Sequence, residues 1–221
     1  ILCVAPLGAN NNLEPNKQTE TLLTVNTEQI ISIEQNANSI VSTGNDIQQN
    51  EIDIVSEKIF EAQQRINALE CEDTMEWFKK YKEIQDEYSE WIDKDETIYD
   101  YFDGSELDLL FHIVETEVRG EDNFDEKVNV ASVIFNRIDH EDFPMNLIEI
   151  LTERPQFSSY ISGDYKNVTV TETTILACEY AFQFPDTTNG ALWFDSTRGN
   201  SWADRNREYI FTDSVGHSFY R

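Results

Sequence analysis

The strongest constraint on the fold comes from residues 46–93, which contain neither proline nor glycine and carry apolar residues every three or four positions. A first stripe runs over Ile52–Leu69 with spacings of 3, 4, 3, 4 and 3, and a second runs over Trp77–Trp91 with spacings of 4, 3, 4 and 3. Such spacing is typical of a coiled coil or a helical hairpin. We therefore predict a helical region over residues 46–104, with self-association through 46–93 as one possible role.

Residues 1–45 have a different composition. Ile1–Ala9 (ILCVAPLGA) resembles the end of the apolar core of a signal peptide followed by small residues. Residues 10–45 are rich in Asn, Thr, Gln and Ser, as polar linkers are. We expect a signal-peptide remnant and a linker, and hence a secreted protein. The sequence has no run of about 18 apolar residues, so no membrane span is predicted.

The charge of the chain excludes one class of partner. Sixteen Lys and Arg residues face 43 Asp and Glu residues, which gives a net charge of −27. Phosphate backbones would repel such a chain, so a nucleic-acid partner is not expected. The three cysteines form no CxxC pair and the three histidines form no HExxH motif, so no metal and no cofactor is predicted. We interpret His217, which is close to Phe219 and Tyr220, as structural.

Residues 105–221 carry helical patterns first and short strand patterns last, which indicates an α+β domain rather than an alternating α/β fold. The predicted helices are Glu106–Val118, opened by a capping box of Ser105 and Asp108, then Asp125–Ile138, Asn146–Leu151 and Glu172–Phe182. The predicted strands are Ala191–Phe194, Tyr209–Thr212 and Ser218–Tyr220. Residues 152–166 are predicted to form a loop.

One carboxylate of the first helix breaks its apolar pattern. At about 100° per residue, Glu117 falls between Leu110 and Ile113, inside the apolar arc. A carboxylate on an apolar face must be paired, or it stays protonated with a raised pKa. Because a Glu of raised pKa is a typical general acid, Glu117 is the candidate catalytic residue.

Two alternatives accompany this assignment. The first is a buried ion pair of Glu117 with Arg119 or Arg137, and the second is contact of Glu117 with water at the end of the helix. Glu115 falls on the edge of the same helix towards Asp108, where a solvated carboxylate belongs. We therefore expect Glu115→Gln to be nearly silent.

Six short blocks in this region resemble, in order, the motifs of the bacterial cell-wall hydrolase family that includes the spore cortex-lytic enzymes. The first, EVRGE at 117–121, is similar to the family signature E-A-x-G-E. The others are KVNVASVIFNR (127–137), FP (143–144), QFS (156–158), GALWF (190–194) and GHSFY (216–220). The resemblance covers residues 106–220 and leaves the N-terminal regions outside it.

The resemblance implies a lysozyme-like α+β fold for the catalytic domain, residues 105–221. It also implies cleavage of the bond between N-acetylmuramic acid (MurNAc) and N-acetylglucosamine (GlcNAc) in peptidoglycan, with Glu117 as the catalytic glutamate. The expected partner is the peptidoglycan glycan strand and the expected location is the cell wall. Gln156, Ser158 and Tyr160, on a loop bounded by Pro155, are the candidate substrate-binding residues.

The resemblance, together with the lack of a nearby carboxylate that is marked out as a second catalytic group, favours a lytic transglycosylase that uses Glu117 alone. Glycosidases with two carboxylates require a partner across the sugar. The residues considered for that role are Glu121, Asp164, Asp195 and Asp204. Two other functions stay open: a peptidoglycan amidase or peptidase, and a non-catalytic wall-binding protein that acts through its helical region.

Overall fold

The structure is a computed structural model that describes residues 46–93, 95–153, 157–196, 199 and 201–221. The predicted signal-peptide remnant and polar linker, residues 1–45, lie outside the described residues. The chain divides into two compact units, Ile1–Lys94 and Asp95–Arg221. In the described part of the chain, no helix is long and apolar enough to cross a membrane.

The described part of the first unit, residues 46–93, contains two helices, α1 (Asp46–Asn67) and α2 (Thr74–Glu87). The side chain of Asp73 caps α2 by accepting a hydrogen bond from the backbone N–H of Glu76 at 2.7 Å. The chain turns between the two helices, so the helical region is a hairpin rather than one long helix. Helix α2 starts a new apolar stripe, which explains why the sequence pattern shifts phase after Leu69.

The hairpin is closed by the predicted stripes. Ala62 of α1 packs in one buried cluster with Ile84 and Tyr88 of the second stripe. Tyr88 also lies under the guanidinium of Arg65, 5.4 Å from the ring centroid. This packing accounts for the apolar spacing within a single chain, and self-association through 46–93 stays a prediction.

The second unit begins earlier than the sequence pattern indicates. A short helix, α3 (Ile98–Tyr101), buries Ile98 completely. The hydroxyl of Tyr99 donates a hydrogen bond to Glu179 at 2.8 Å, within the same unit. Residues 95–104, which we assigned to the helical region, thus pack with the second unit.

Most of the second unit is helical. After α3 its helices are α4 (Gly104–Glu117), α5 (Phe124–Ile138), α6 (Leu147–Thr152), α7 (Ser158–Ser162) and α8 (Glu172–Gln183), and a 3₁₀ turn covers Asp164–Asn167. Helix α5 packs along α8 and contacts α4 and α6. Its side chains Val130, Val133 and Ile134 are completely buried, so α5 is the central helix of this unit.

A small antiparallel sheet completes the second unit. It consists of β1 (Trp193–Asp195), β2 (Tyr209–Thr212) and β3 (Ser218–Tyr220) in the order β1-β3-β2, with α9 (Trp202–Asn206) between β1 and β2. Phe219 pairs with Phe194 of β1 and Phe211 of β2, and the three rings stack. This aromatic layer joins the sheet to α5 through Val133.

The predicted α+β class is confirmed, and the second and third predicted strands have the predicted bounds. Two local predictions are wrong. Helix α4 is capped by Asp103, which accepts hydrogen bonds from the backbone N–H groups of Ser105 and Glu106, so the capping box lies two residues before the predicted one. The predicted loop 152–166 contains α7 and most of the 3₁₀ turn. The sequence did not indicate these helices because each is only about one turn long and is too short to show apolar periodicity.

Candidate active site

Glu117 is the last residue of α4. The backbone leaves the helix at Val118, with φ −130° and ψ 98°. Gly120 then adopts φ +104°, a left-handed conformation that favours glycine. The helix therefore ends at Glu117, whose side chain is half-buried.

Helix α7 supplies the closest partner of this carboxylate. The hydroxyl of Ser159 donates a hydrogen bond to Oε1 of Glu117 at 2.6 Å. Ser159 is buried, and Phe157, just before α7, is fully buried with its ring 6.2 Å from that of Phe194 on β1. The sheet thus holds the start of α7 in place, and α7 holds the hydroxyl against Glu117.

The surroundings of Glu117 favour the protonated form. Burial raises the pKa of Glu117 above its usual value, whereas the hydrogen bond from Ser159 and the charge of His217 act in the opposite direction and only partly offset it. Burial disfavours the charged form of an acid because the anion loses its hydration. Glu117 therefore keeps its proton at a pH at which an exposed glutamate has lost it, as a general acid requires.

His217 lies at the turn between β2 and β3 and is buried. Its backbone N–H donates to Oδ1 of Asp213 at 2.8 Å, and its Nδ1 lies 3.4 Å from Oδ2 of the same residue. The ring meets that of Phe194 edge-on at 5.5 Å. These contacts fit the structural role that we predicted, and the electrostatic effect of His217 on Glu117 adds a second role.

The predicted alternative of an ion pair with Arg119 or Arg137 does not occur among the described residues. Arg119 is exposed. Arg137 is buried and donates from Nε to the carbonyl of Leu192 at 2.7 Å. Its guanidinium also lies over the rings of Phe143 and Phe157, at 5.3 and 5.4 Å from their centroids.

Glu115 is buried, with only 4% of its surface exposed, so the predicted solvated position is wrong. Its Oε2 forms an ion pair at 2.8 Å with Nζ of Lys127, which is completely buried on α5. The backbone N–H and the hydroxyl of Thr171 donate to the same oxygen at 3.2 and 2.8 Å, and so does the hydroxyl of Thr174. The helical periodicity placed Glu115 on the solvent side wrongly, because α5 and the start of α8 cover this side of α4.

This network makes Glu115 electrostatically unlike Glu117. Burial alone would raise the pKa of Glu115, but the hydrogen bonds from Lys127, Thr174 and Thr171 outweigh it and lower the pKa to about 2. Oε1 of Glu115 also accepts a hydrogen bond at 3.3 Å from the backbone N–H of Gly120. Glu115 is therefore an ionised structural residue, whose contacts with Lys127 and Gly120 fix the end of α4 and the following turn.

Of the three candidate substrate-binding residues, Gln156 lies outside the described residues. Ser158 is exposed at the first position of α7, and its neighbour Ser159 is the residue that contacts Glu117. The ring of Tyr160 stacks on that of Tyr165 at 5.3 Å with an interplanar angle of 23°. Sequence reasoning missed Ser159 because the loop prediction gave no reason to choose among adjacent polar residues.

Two of the four carboxylates considered as a second catalytic group take part in local structure. Asp204 accepts a hydrogen bond from the hydroxyl of Tyr220 at 2.6 Å and caps α9 together with Ser201. Asp164 accepts one from Ser162 at 2.7 Å. In the part of the chain that the structure describes, no group of three His, Cys, Asp or Glu side chains is arranged to hold a metal ion.

Comparison with known proteins identifies the second unit. Residues 121–220 match the sequence profile of the family described as Cell Wall Hydrolase. The matched segment covers less than half of the chain but most of the second unit. The match identifies this part of the chain as a cell-wall hydrolase, and Glu117 lies four residues before the matched segment.

Two solved structures are similar to the cell-wall hydrolase domain. The catalytic domain of the germination-specific lytic transglycosylase SleB from Bacillus anthracis is 25% identical, with 56% of this chain and 100% of that chain covered and a TM-score of 0.49. The catalytic domain of the Bacillus cereus SleB protein is 26% identical, with 54% and 92% covered and a TM-score of 0.47. A comparison with curated proteins gives no significant match.

Proposed function

We propose that this cell-wall hydrolase cleaves the MurNAc–GlcNAc bond of peptidoglycan as a lytic transglycosylase, with Glu117 as the catalytic residue. The observation that carries the proposal is the state of Glu117: half-buried, hydrogen-bonded by Ser159 and raised in pKa. The match of residues 121–220 to the cell-wall hydrolase family supports it independently.

In the first step, protonated Glu117 donates its proton to the glycosidic oxygen that leaves. The bond from that oxygen to C1 of MurNAc breaks, and an oxocarbenium-like transition state forms at C1. Because Ser159 donates to Oε1, the proton of Glu117 resides on Oε2 and is available to the substrate. The same hydroxyl then stabilises the carboxylate that the step creates.

In the second step, the carboxylate of Glu117 accepts the proton of the MurNAc C6 hydroxyl. The C6 oxygen forms a bond to C1, which gives a 1,6-anhydro end and returns Glu117 to its protonated state. If water replaces the C6 hydroxyl, the same cycle gives a reducing end and the enzyme is a muramidase. We favour the first route because Asp164 and Asp204, two of the four carboxylates considered as a second catalytic group, are engaged in local hydrogen bonds.

Substrate contacts are proposed for Gln156, Ser158 and Tyr160. The stacked rings of Tyr160 and Tyr165 offer an aromatic surface next to α7, the helix that carries Ser159. Sugar rings present apolar C–H faces that pack on aromatic rings. Since the substrate is outside the cell, we also propose that the protein is exported and acts in the cell wall.

The test is mass spectrometry of the soluble products after incubation of the full chain with purified peptidoglycan. We expect muropeptides about one water lighter than hydrolysis products. Reducing ends would instead make the enzyme a muramidase. Free stem peptides would replace the proposal by an amidase or peptidase, and binding without product would replace it by a non-catalytic wall-binding protein.

Two variants make the assignment of Glu117 specific. Glu117→Gln keeps the shape of the side chain but removes its acid, so products are expected to disappear. Glu141→Gln makes the same chemical change at an exposed position of the same unit and is the matched control. Equal product from Glu117→Gln and Glu141→Gln would reject Glu117 as the catalytic residue.

A further inference from the structure

A cluster of aromatic and basic side chains surrounds helix α9. Trp202, the first residue of α9, has 53% of its surface exposed. Its ring lies 6.5 Å from that of Trp193 on β1, and Trp193 in turn contacts Phe143 at 5.7 Å. Single exposed apolar side chains are common, but an exposed indole that lies in one patch with a second indole is typical of a binding surface.

Arg207 lies between the two indoles. Its guanidinium is 3.9 Å from the ring centroid of Trp193 and 4.8 Å from that of Trp202. Arg207 is exposed, and among the described residues no carboxylate lies within ion-pair distance of it. In a chain with 43 acidic residues against 16 basic ones, an exposed arginine held by two tryptophans and left without an acidic partner is suited to an anionic ligand.

The cluster is held rigidly. Asp204 of α9 accepts a hydrogen bond from the hydroxyl of Tyr220 at 2.6 Å, which fixes the helix to β3. The side chain of Ser201 accepts one from the backbone N–H of Asp204 at 3.0 Å and caps the helix. An aromatic surface that is fixed before binding loses little conformational entropy when a ligand packs on it.

This cluster and Glu117 lie on opposite sides of β1. Successive side chains of a strand point to opposite faces. Phe194 contacts Phe157 and His217, on the side of Ser159 and Glu117. Trp193 contacts Trp202 and Arg207, so the cluster lies on the other face of the strand from Phe194.

We propose that Trp202, Trp193 and Arg207 form a second glycan-binding site, which holds a sugar ring on Trp202 and an adjacent carboxylate on Arg207. The ligand class rests on the proposed function, since peptidoglycan offers sugar rings next to the carboxylates of its muramic acid and stem peptides. The site retains the enzyme on an insoluble polymer while Glu117 acts elsewhere on it. It also gives a strongly acidic protein one point of electrostatic attraction to an anionic wall.

The test is equilibrium binding of the full chain carrying Glu117→Gln, so that the polymer stays intact, to purified insoluble peptidoglycan and to chitin, which lacks carboxylates. Adding Trp202→Ala is expected to weaken binding to both polymers about three- to tenfold, in the range of a lost aromatic contact. Trp202→Phe should recover much of the affinity. Adding Arg207→Gln should weaken binding to peptidoglycan only, and Arg207→Lys should recover it partly.

Tyr101→Ala is the matched control, because Tyr101 is an equally exposed aromatic residue, at 57%, on a different helix of the same unit. Unchanged binding of the Trp202→Ala protein would overturn the proposal. An equal loss for Arg207→Gln on chitin and peptidoglycan would overturn the assignment of a carboxylate ligand. If Trp202→Ala unfolds the protein, Arg207→Gln decides the matter, because it keeps both indoles and because its unchanged binding to peptidoglycan would overturn the proposal.

This outcome is separable from that of the proposed function. A wild-type chain that releases no glycan product, but whose Glu117→Gln form needs Trp202 for binding, would reject the lytic activity and keep the second site. If the wild-type chain cleaves peptidoglycan but Trp202→Ala leaves binding unchanged, the lytic activity stands and the second site is rejected. A chain that binds neither polymer would overturn the second site.

Discussion

The last turn of α4 carries two glutamates, Glu115 and Glu117, whose pKa values are shifted in opposite directions by their surroundings. Glu115 faces α5 and α8, where Lys127 and two threonines hold it ionised with a pKa lowered to about 2. Glu117 faces α7, where burial raises its pKa and Ser159 donates a single hydrogen bond. Two residues of separation suffice because side chains two positions apart on a helix do not face each other.

The comparison shows that burial alone does not decide what a carboxylate does. Glu115 is the more deeply buried of the two, yet its partners compensate the loss of hydration. Glu117 has fewer partners, and burial raises its pKa. The ionised glutamate fixes the end of the helix, and the protonated one carries the proposed chemistry. Four predictions test this difference between the two glutamates.

The largest expected effect is on the rate with Glu117→Gln. A general acid contributes about 10²–10⁴-fold, so the rate of peptidoglycan cleavage should fall by at least about 10²-fold. The melting temperature should stay the same or rise, because a neutral amide replaces an acid that is costly to ionise in this position. Release of muropeptides and thermal unfolding measure the two quantities. A large fall in melting temperature would mean that Glu117 is a structural residue like Glu115.

The second effect is on stability, with Lys127→Met. It leaves Glu115 buried without its ion-pair partner, which costs about 3–5 kcal/mol in comparable cases. The free energy of unfolding in urea, relative to wild type, measures this loss. Adding Glu115→Gln should recover part of it, because the uncompensated charge is removed. If Lys127→Met were neutral, the pair would not be the tie that holds the end of α4.

Sequence reasoning found one of these two glutamates and misplaced the other. The apolar arc of α4 singled out Glu117 because the helix presents it between two core residues. The position of Glu115 depends on Lys127 and Thr174, which approach from α5 and α8, and a single helical wheel contains no information about neighbouring helices. The β2 and β3 strands were predictable from their apolar and aromatic runs.

Local elements without periodicity were not predictable in the same way. Helix α7 is one turn long, so no repeat signals it, and the choice of Ser159 over Ser158 depends on the rotation of that turn. Trp202 and Arg207 are brought to Trp193 by the fold of α9 against the sheet. Contacts of this kind join residues that are distant in sequence, and their spacing along the chain carries no pattern.

The third effect is a separation of pH windows. Activity should persist above the usual pKa of glutamate, about 4.3, and then fall as Glu117 loses its proton, because its pKa is raised. Glu115 affects stability at acidic pH, because its pKa in the folded state, about 2, lies below the value in the unfolded state. Its contribution to stability is therefore complete above about pH 5 and is lost as the pH falls towards 2. Rate and melting temperature, each measured against pH, check both limbs.

Two outcomes would contradict this separation. An activity limb at the usual pKa of glutamate would mean that Glu117 is solvated when substrate is bound. A melting temperature that does not fall between about pH 5 and pH 2 would mean that Glu115 is not held in its ionised form. In the Lys127→Met variant the acid limb of stability should shrink, whereas the activity limb that Glu117 sets should stay in place.

The smallest effect belongs to Ser159→Ala. The lost hydrogen bond stabilises the anion of Glu117, so its pKa should rise further and the alkaline limb of the rate should move to higher pH. The maximal rate should fall only about two- to tenfold, in keeping with one hydrogen bond of about 0.5–1.5 kcal/mol.

Ser158→Ala is the matched control, because it makes the same chemical change at the neighbouring position of α7. Because Ser158 is exposed and its neighbour makes the contact, its loss should leave the limb in place, even if KM changes through a substrate contact. An alkaline limb that moved with Ser158 and not with Ser159 would mean that α7 turns its other side to Glu117 when the enzyme works.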